Sequence, residues 1–313
     1  MRIAVAGAGG MGGRFALYLH QAGNEVFLID QWQANIDAIR ADGLQAELNG
    51  AHVSARIPVY APQELKDRSL QADLVIALTK APQLDAMFQA LSPVLHQDTM
   101  VLCLLNGLGH EEVLSRYVPM ERILLGVTMW TAGMSGPGKL KLGGNGKVEI
   151  QNLRPEGADA AHEIVRVFSE AGLNAVYSGN VRWSIWRKAC VNGTLNPLCS
   201  LLECNIHDLS TTPGIQDTMM DIIHEFAAAA ETEDVHLDPQ EVYAHIASAF
   251  PIETIGLHYP SMYQDLVLNH RLTEIDYING AAARKAEAAG LSAPCCRLLT
   301  QLIHQKEALL GAH

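Results

Sequence analysis

Long apolar runs are missing from this chain of 313 residues. Stretches such as Leu74–Leu78 and Ile123–Val127 fall well short of the roughly 20 residues a membrane span needs, so no transmembrane segment is expected. Basic charge is also scarce. Lys and Arg total 22 against 34 Asp and Glu, a formal net charge of −12, and no basic run exceeds Arg187-Lys188. Without a basic stripe no nucleic-acid partner is expected, although a few local cations suffice to hold a small anion. Six cysteines, at 103, 190, 199, 204, 295 and 296, form no CxxC pair and no metal-ligand spacing. The 13 histidines include no HxxxH or HExxH, so no metal site is expected. Behind Arg2 there is a Gly-rich turn and no apolar leader region, which together with unpaired thiols points to a cytoplasmic protein.

What is present is enough apolar side chain, 49% of residues against 18% charged, to build a sizeable core. The length favours about two domains. Up to residue 179 strand and helix patterns alternate. Strands are expected at Arg2–Ala6, Glu25–Ile29, Asp73–Leu78, Met100–Leu104 and Ile123–Thr131, and helices at Met11–Ala22, Asn35–Asp42, Pro82–Leu95, Glu111–Tyr117 and Ala158–Ala171. Such alternation predicts an α/β domain, a parallel sheet covered on both faces. Asn49-Gly50 marks a hairpin turn between short strands, and the glycine-punctuated segment 133–152 predicts a β-hairpin closing the sheet edge. From residue 180 to 313 the strand signals stop. Helices are expected at Val181–Cys204 with a bend at Pro197, Gly214–Asp234, Pro239–Phe250, Leu266–Ala289 and Pro294–Leu310, an all-helical second domain.

Gly7-Ala8-Gly9-Gly10-Met11-Gly12 is a GxGxxG between a strand and a helix. There Gly7 permits the tight turn, Gly9 lets a pyrophosphate approach the backbone and Gly12 lets helix and strand pack closely. The helix N-terminus adds free N–H groups and partial positive charge. This predicts a Rossmann-type doubly wound sheet that binds a dinucleotide; a Gly-rich turn binding another nucleoside is the alternative. Asp30 ends the second strand. Its carboxylate can accept ribose hydroxyls and would repel a 2′-phosphate, favouring NADH over NADPH, or it merely caps the next helix. Lys80 and Asn106 follow strand ends, where doubly wound sheets bind ligands; each reads equally well as a turn residue.

Lys188, Asn192 and Asn196 are spaced i, i+4, i+8 and so share one helical face. A cation and two amides on an otherwise apolar helix are expensive unless something polar meets them. The trio suits carbonyl reduction. Hydride addition leaves an oxyanion that needs a proton and nearby positive charge, and a lysine with a burial-lowered pKa supplies both. A solvated polar face is the bland alternative. Ser261, at a helix start, could hold a carboxylate; Glu274 and Asp276 fall about 200° apart on a helix, so at most one faces a given site.

Taken together, the GxGxxG, Thr79-Lys80, Leu105-Asn106-Gly107, Trp186-Arg187-Lys188 with Asn192 and Asn196-Pro197, Ser261-Met262-Tyr263-Gln264-Asp265 and Thr273-Glu274-Ile275-Asp276 resemble the ketopantoate reductase family along essentially the whole chain. The resemblance implies a two-domain NAD(P)H-dependent reductase of pantothenate synthesis with its active site in the cleft between domains. It implies Lys188 as general acid, Glu274 as its partner and a binder of substrate hydroxyl, Asn192 and Asn196 as positioning groups, and Ser261 on the substrate carboxylate. It further implies Asn106 by the nicotinamide, Lys80 near the cofactor, and Asn205 as a further substrate amide. NADH-dependent D-2-hydroxyacid dehydrogenases acting on C3-branched 2-keto acids belong to the same family, and the chain looks similar to them too. A homodimer through the helical half is compatible with the sequence, but no pattern marks an interface.

Overall fold

A computed structural model describes all 313 residues. They form two compact units, Met1–Leu105 with His110–Val181, and Asn106–Gly109 with Arg182–His313. No helix is long and apolar enough to cross a membrane, and all six cysteines are free thiols.

The first unit is α/β. Its strands are β1 (Arg2–Ala6), β2 (Glu25–Ile29), β3 (Leu44–Leu48), β4 (Ala51–Ala55), β5 (Val59–Tyr60), β6 (Leu74–Ala77), β7 (Met100–Cys103), β8 (Ile123–Thr128), β9 (Thr131–Gly136), β10 (Lys139–Gly143), β11 (Val148–Asn152) and β12 (Ala175–Tyr177). Its helices are α1 (Gly10–Gln21), α2 (Gln33–Asp42), α3 (Leu84–Leu91), α4 (His110–Leu114) and α5 (Ala158–Glu170). An eight-stranded sheet runs β12-β11-β8-β7-β6-β1-β2-β5. From β5 to β8 neighbouring strands pair parallel; β11 is antiparallel to β8. The central strands β6 and β7 are apolar at every position because both faces are covered, and β6 is buried throughout. The strand order reverses at β1, which puts the turn after β1 where doubly wound sheets bind ligands.

The hairpin expected at the sheet edge is elsewhere. Strands β9 and β10 join the β3–β4 hairpin in a separate four-stranded sheet, β4-β3-β10-β9, and only β11 enters the main sheet, one strand in from its edge. The reason is a buried cation on α1. The Arg14 guanidinium is fully buried, donates to Thr131 O at 3.1 Å and Gly143 O at 2.7 Å, and lies 4.3 Å from the Trp130 ring centroid. Leu140 packs onto Gly13 of the same helix. The second sheet thus covers α1. Asn49 and Gly50 take φ of 50° and 83° at the β3–β4 turn, as a two-residue hairpin requires.

The second unit is helical: α6 (Val181–Leu202), α7 (Ile206–Ser210), α8 (Ile215–Glu231), α9 (Pro239–Ala247), the short α10 (Ser261–Tyr263), α11 (Asn279–Ala288) and α12 (Pro294–Leu310). Helix α6 begins at the last residue of the first unit and runs unbroken through Pro197. Proline has no N–H for the carbonyl four residues back, and Asn279 Nδ2 replaces that donor on Gly193 O at 2.9 Å. The helix expected over Leu266–Ala289 is a correction. A π-helical turn at Gln264–Leu268 and a 3₁₀ turn at Ile275–Tyr277 precede α11, which starts only at Asn279. A carboxylate from α12 captures the Thr273 N–H at 2.8 Å, so the chain there bonds to another helix instead of its own preceding turn.

Candidate active site

In the first unit the GxGxxG residues form the turn from β1 into α1, and its glycines divide by cause. Gly7 has φ of 103°, and a Cβ there would lie 2.6 Å from Leu78 O, against the end of β6. A Cβ on Gly12 would overlap Gly7 O, and one on Gly10 would lie 2.9 Å from Ala132 O. Gly9 is different. Its φ of −70° suits any residue, and a Cβ there would meet nothing within 4 Å. The protein itself does not need a glycine at 9, so the open space over the helix start is what the missing side chain preserves. No side chain caps α1, which leaves its first N–H groups directed at that space.

Asp30 and Asn35 brace this turn. Asp30 Oδ2 accepts from Ala8 N at 3.0 Å and Asn35 Nδ2 at 2.9 Å, and Oδ1 accepts from Trp32 N at 2.9 Å. The fully buried Asn35 also donates to Ala8 O at 3.1 Å and accepts from Gly138 N at 2.8 Å. Asp30 thus bonds the backbone two residues on, just before α2, but it does not cap that helix, whose N-cap is Trp32 and which no side chain caps. Asn35 had no signal beyond its place inside a predicted helix. Thr79 is buried at the end of β6, bonded to Gln83, and Lys80 is exposed just before the 3₁₀ turn Ala81–Gln83.

In the second unit α6 carries Lys188, Asn192 and Asn196. Asn196 is 4% exposed, Lys188 and Asn192 are partly buried, and neither amide makes a side-chain hydrogen bond within the chain. Burial lowers the Lys188 ammonium to about 8, and the Glu274 carboxylate opposes part of that fall. Structure thus brings together two residues 86 positions apart, Lys188 and Glu274. The start of α6 is fixed by Glu233, which accepts from Trp186 Nε1 at 3.0 Å, Arg182 Nη1 at 3.1 Å and Lys285 Nζ at 2.5 Å. Arg187 stacks over Trp183 at 5.2 Å instead of sharing the lysine's face.

Glu274 sits just before the 3₁₀ turn Ile275–Tyr277. The same turn holds the segment of Asn106: Leu108 N donates to Tyr277 O at 2.8 Å, and a Cβ on Gly107 would collide with that carbonyl. Asn106 itself is partly buried. Ser261 is exposed at the first position of α10. Asn205 stands apart, because both amide atoms are engaged in capping α7: Oδ1 accepts from Asp208 N and Nδ2 donates to Asp208 Oδ2, each at 2.8 Å. Asn279, which sustains α6 at Pro197, and Glu307 on α12 gave no functional signal, since their partners are distant in sequence.

Two family models match the chain. Residues 3–155 match Ketopantoate reductase PanE/ApbA, and residues 180–307 match Ketopantoate reductase PanE/ApbA C terminal. The chain is 51% identical over 312 residues to the 2-dehydropantoate 2-reductase of Lactococcus lactis subsp. lactis (strain IL1403), covering 100% of both. It is 43% identical over 311 residues to that of Streptococcus pyogenes serotype M1, covering 99% of both. It superimposes with TM-score 0.96 on a solved ternary structure of D-mandelate dehydrogenase with NADH and anilino(oxo)acetate, at 51% identity and 100% coverage of each chain.

Proposed function

The chain belongs to the ketopantoate reductase family, and from that premise we propose that it is an NAD(P)H-dependent reductase that converts ketopantoate to D-pantoate in the cytoplasm. The carrying observation is the face of α6: a lysine held near pKa 8 beside Glu274, with two amides that lack any partner inside the protein. Amides so placed cost stability unless a ligand meets them. The first unit supplies the cofactor platform and the second the reaction groups.

The cofactor fits the first unit because the space over Gly9 is kept clear at an uncapped helix start. Gly7 through Gly12 would cradle the pyrophosphate, with Lys80 and Asn106 as further contacts. When bound, the cofactor supplies hydride to the 2-keto carbon. Lys188 is largely protonated at neutral pH, and its Nζ gives a proton to the developing alkoxide, leaving a neutral amine that solvent reprotonates. Asn192 and Asn196 orient the keto acid and stabilise charge on oxygen, Ser261 binds its carboxylate, and Glu274 accepts the substrate hydroxyl. Asn205, committed to its helix cap, is left out of this set. Asp30 favours NADH, since its charge beside the ribose site would repel a 2′-phosphate.

The similarity to D-mandelate dehydrogenase supports a second reading, an NADH-dependent D-2-hydroxyacid dehydrogenase for C3-branched 2-keto acids. Initial rates with ketopantoate, 2-ketoisovalerate and phenylglyoxylate, each with NADH and NADPH, decide between them. Preference for ketopantoate supports the first reading, and Glu274→Gln should then harm ketopantoate far more than substrates lacking the 4-hydroxyl. Preference for the others supports the second, and no turnover of any would reject both. A homodimer is the proposed assembly, supported by the exposed Ile252, Ile255, Leu257, Leu268 and Leu272 of the second unit. Light scattering at a mass of one chain, 34.0 kDa, would exclude it.

A further inference from the structure

Glu307 is a carboxylate that the proposed chemistry does not use, yet it is only 6% exposed. A buried acid is retained only if its partners repay the loss of water. Its Oε1 accepts from the Thr273 backbone N–H at 2.8 Å, and its Oε2 meets His304 Nδ1 at 2.9 Å. The other ring nitrogen of His304 meets Asp276 Oδ1 at 3.0 Å. Two residues of α12 thus grip Thr273 and Asp276, the positions on either side of Glu274 and Ile275. The far side of the same turn is held by Arg284 Nη2 on Asp276 O at 2.7 Å and by Leu108 N on Tyr277 O at 2.8 Å.

We propose that Glu307 and His304 are positioning residues that clamp the Thr273–Asp276 turn and so hold Glu274 where its charge acts on Lys188. The inference rests on the reductase reading for its catalytic meaning, not for its geometry. Three features carry it. Thr273 N–H is the backbone donor adjacent to Glu274, so losing its acceptor frees the residue that carries the carboxylate. Glu307 has no other evident task, because its remaining partner, His304, reaches the same turn. The histidine joins two acids, which needs both ring nitrogens as donors and therefore the imidazolium. Burial pulls the His304 pKa down, but the hydrogen bonds and charges of Asp276 and Glu307 outweigh it and raise it, favouring that form. The charged groups facing it are Asp276 on the turn, Arg284 of α11 behind Asp276, and Glu307 on its own helix.

The test compares Glu307→Ala, Glu307→Gln and His304→Ala in the full chain. Lys188 is titrated by its pH-dependent rate of acetylation with acetic anhydride, read by mass spectrometry, alongside kcat, KM and the Kd for NADH. In Glu307→Ala the Lys188 titration should move to lower pH, because Glu274 no longer opposes the burial effect. With that loosening kcat should fall about ten-fold, as expected for a misplaced group, and the NADH Kd should stay unchanged. Glu307→Gln keeps an oxygen for Thr273 N–H and should recover most of the kcat. His304→Ala should shift the Lys188 titration in the same direction by less. An unmoved Lys188 titration in folded Glu307→Ala, or a Glu307→Gln no better than Glu307→Ala, overturns the clamp. If Glu307→Ala does not fold, an unmoved titration in His304→Ala overturns it. The labelling needs no turnover, so a wild-type protein that reduces no 2-keto acid would defeat the reductase reading and still let the clamp be judged.

Discussion

The turn after β1 and the face of α6 solve the same problem, presenting polar groups to a ligand, in opposite ways. The first uses backbone. Its N–H groups come with the helix start, and side chains appear only as struts: Asp30 on Ala8, Asn35 on Asp30, Ala8 and Gly138. The second uses side chains. Lys188, Asn192 and Asn196 project from a helix whose integrity depends on Asn279, and the charge of Glu274 acts on Lys188 from a turn held by a third helix. A backbone site is damaged by adding atoms, and a side-chain site by removing them.

The largest expected effect breaks that contrast at its sharpest point. Lys188→Ala should lower kcat by about 10³-fold or more, in the upper range for loss of a general acid, while the Kd for NADH measured by fluorescence titration stays within error. An equal loss of cofactor binding would mean that the two sites are not separable. Next come the glycines. Gly12→Ala forces a Cβ onto Gly7 O and should destabilise the fold by roughly 3 kcal/mol or more in urea unfolding. Gly9→Ala meets no protein atom and should leave the urea midpoint unchanged while weakening NADH at least ten-fold. Stability loss at Gly9 would deny that the space belongs to a ligand.

A smaller effect is expected from Asn279→Ala, which strands Gly193 O inside the second unit. About 1–3 kcal/mol of stability should be lost, the cost of an unsatisfied buried acceptor. The mildest perturbation is pH. Lys188 must be protonated to act, so kcat should fall as pH rises through about 8. Stability responds with the opposite sign. The folded pKa lies below the unfolded one, so the unfolded chain binds the extra proton and the burial penalty, present below pH 8, is relieved between about 8 and 10.5. Lys188→Met should accordingly stabilise the protein at pH 7 by about 1–3 kcal/mol while abolishing turnover. A stability loss on that change would show the lysine to be a structural ion-pair partner.

Legibility in the sequence followed the range of the interactions. The strand–helix alternation, the GxGxxG turn, the Asn49-Gly50 hairpin and the common face of Lys188, Asn192 and Asn196 are all settled within a dozen residues by periodicity and local backbone preference. Those features were readable. The course of β9 and β10 was not, because it is fixed by Arg14 bonding carbonyls more than a hundred residues away. Nor was the replacement of the helix expected over 266–289, because Thr273 N–H finds its acceptor on α12.

The sequence by itself determined that an α/β unit with a dinucleotide-type turn precedes a helical unit carrying a lysine and two amides on one face, since each follows from short-range geometry. Only the tertiary structure decided that the Glu274 charge acts on Lys188, that Gly9 alone among the turn's glycines guards open space, and that Asn205 is committed to a cap. Those facts depend on which distant group reaches a donor or a void first, and that competition is resolved only when the whole chain has packed.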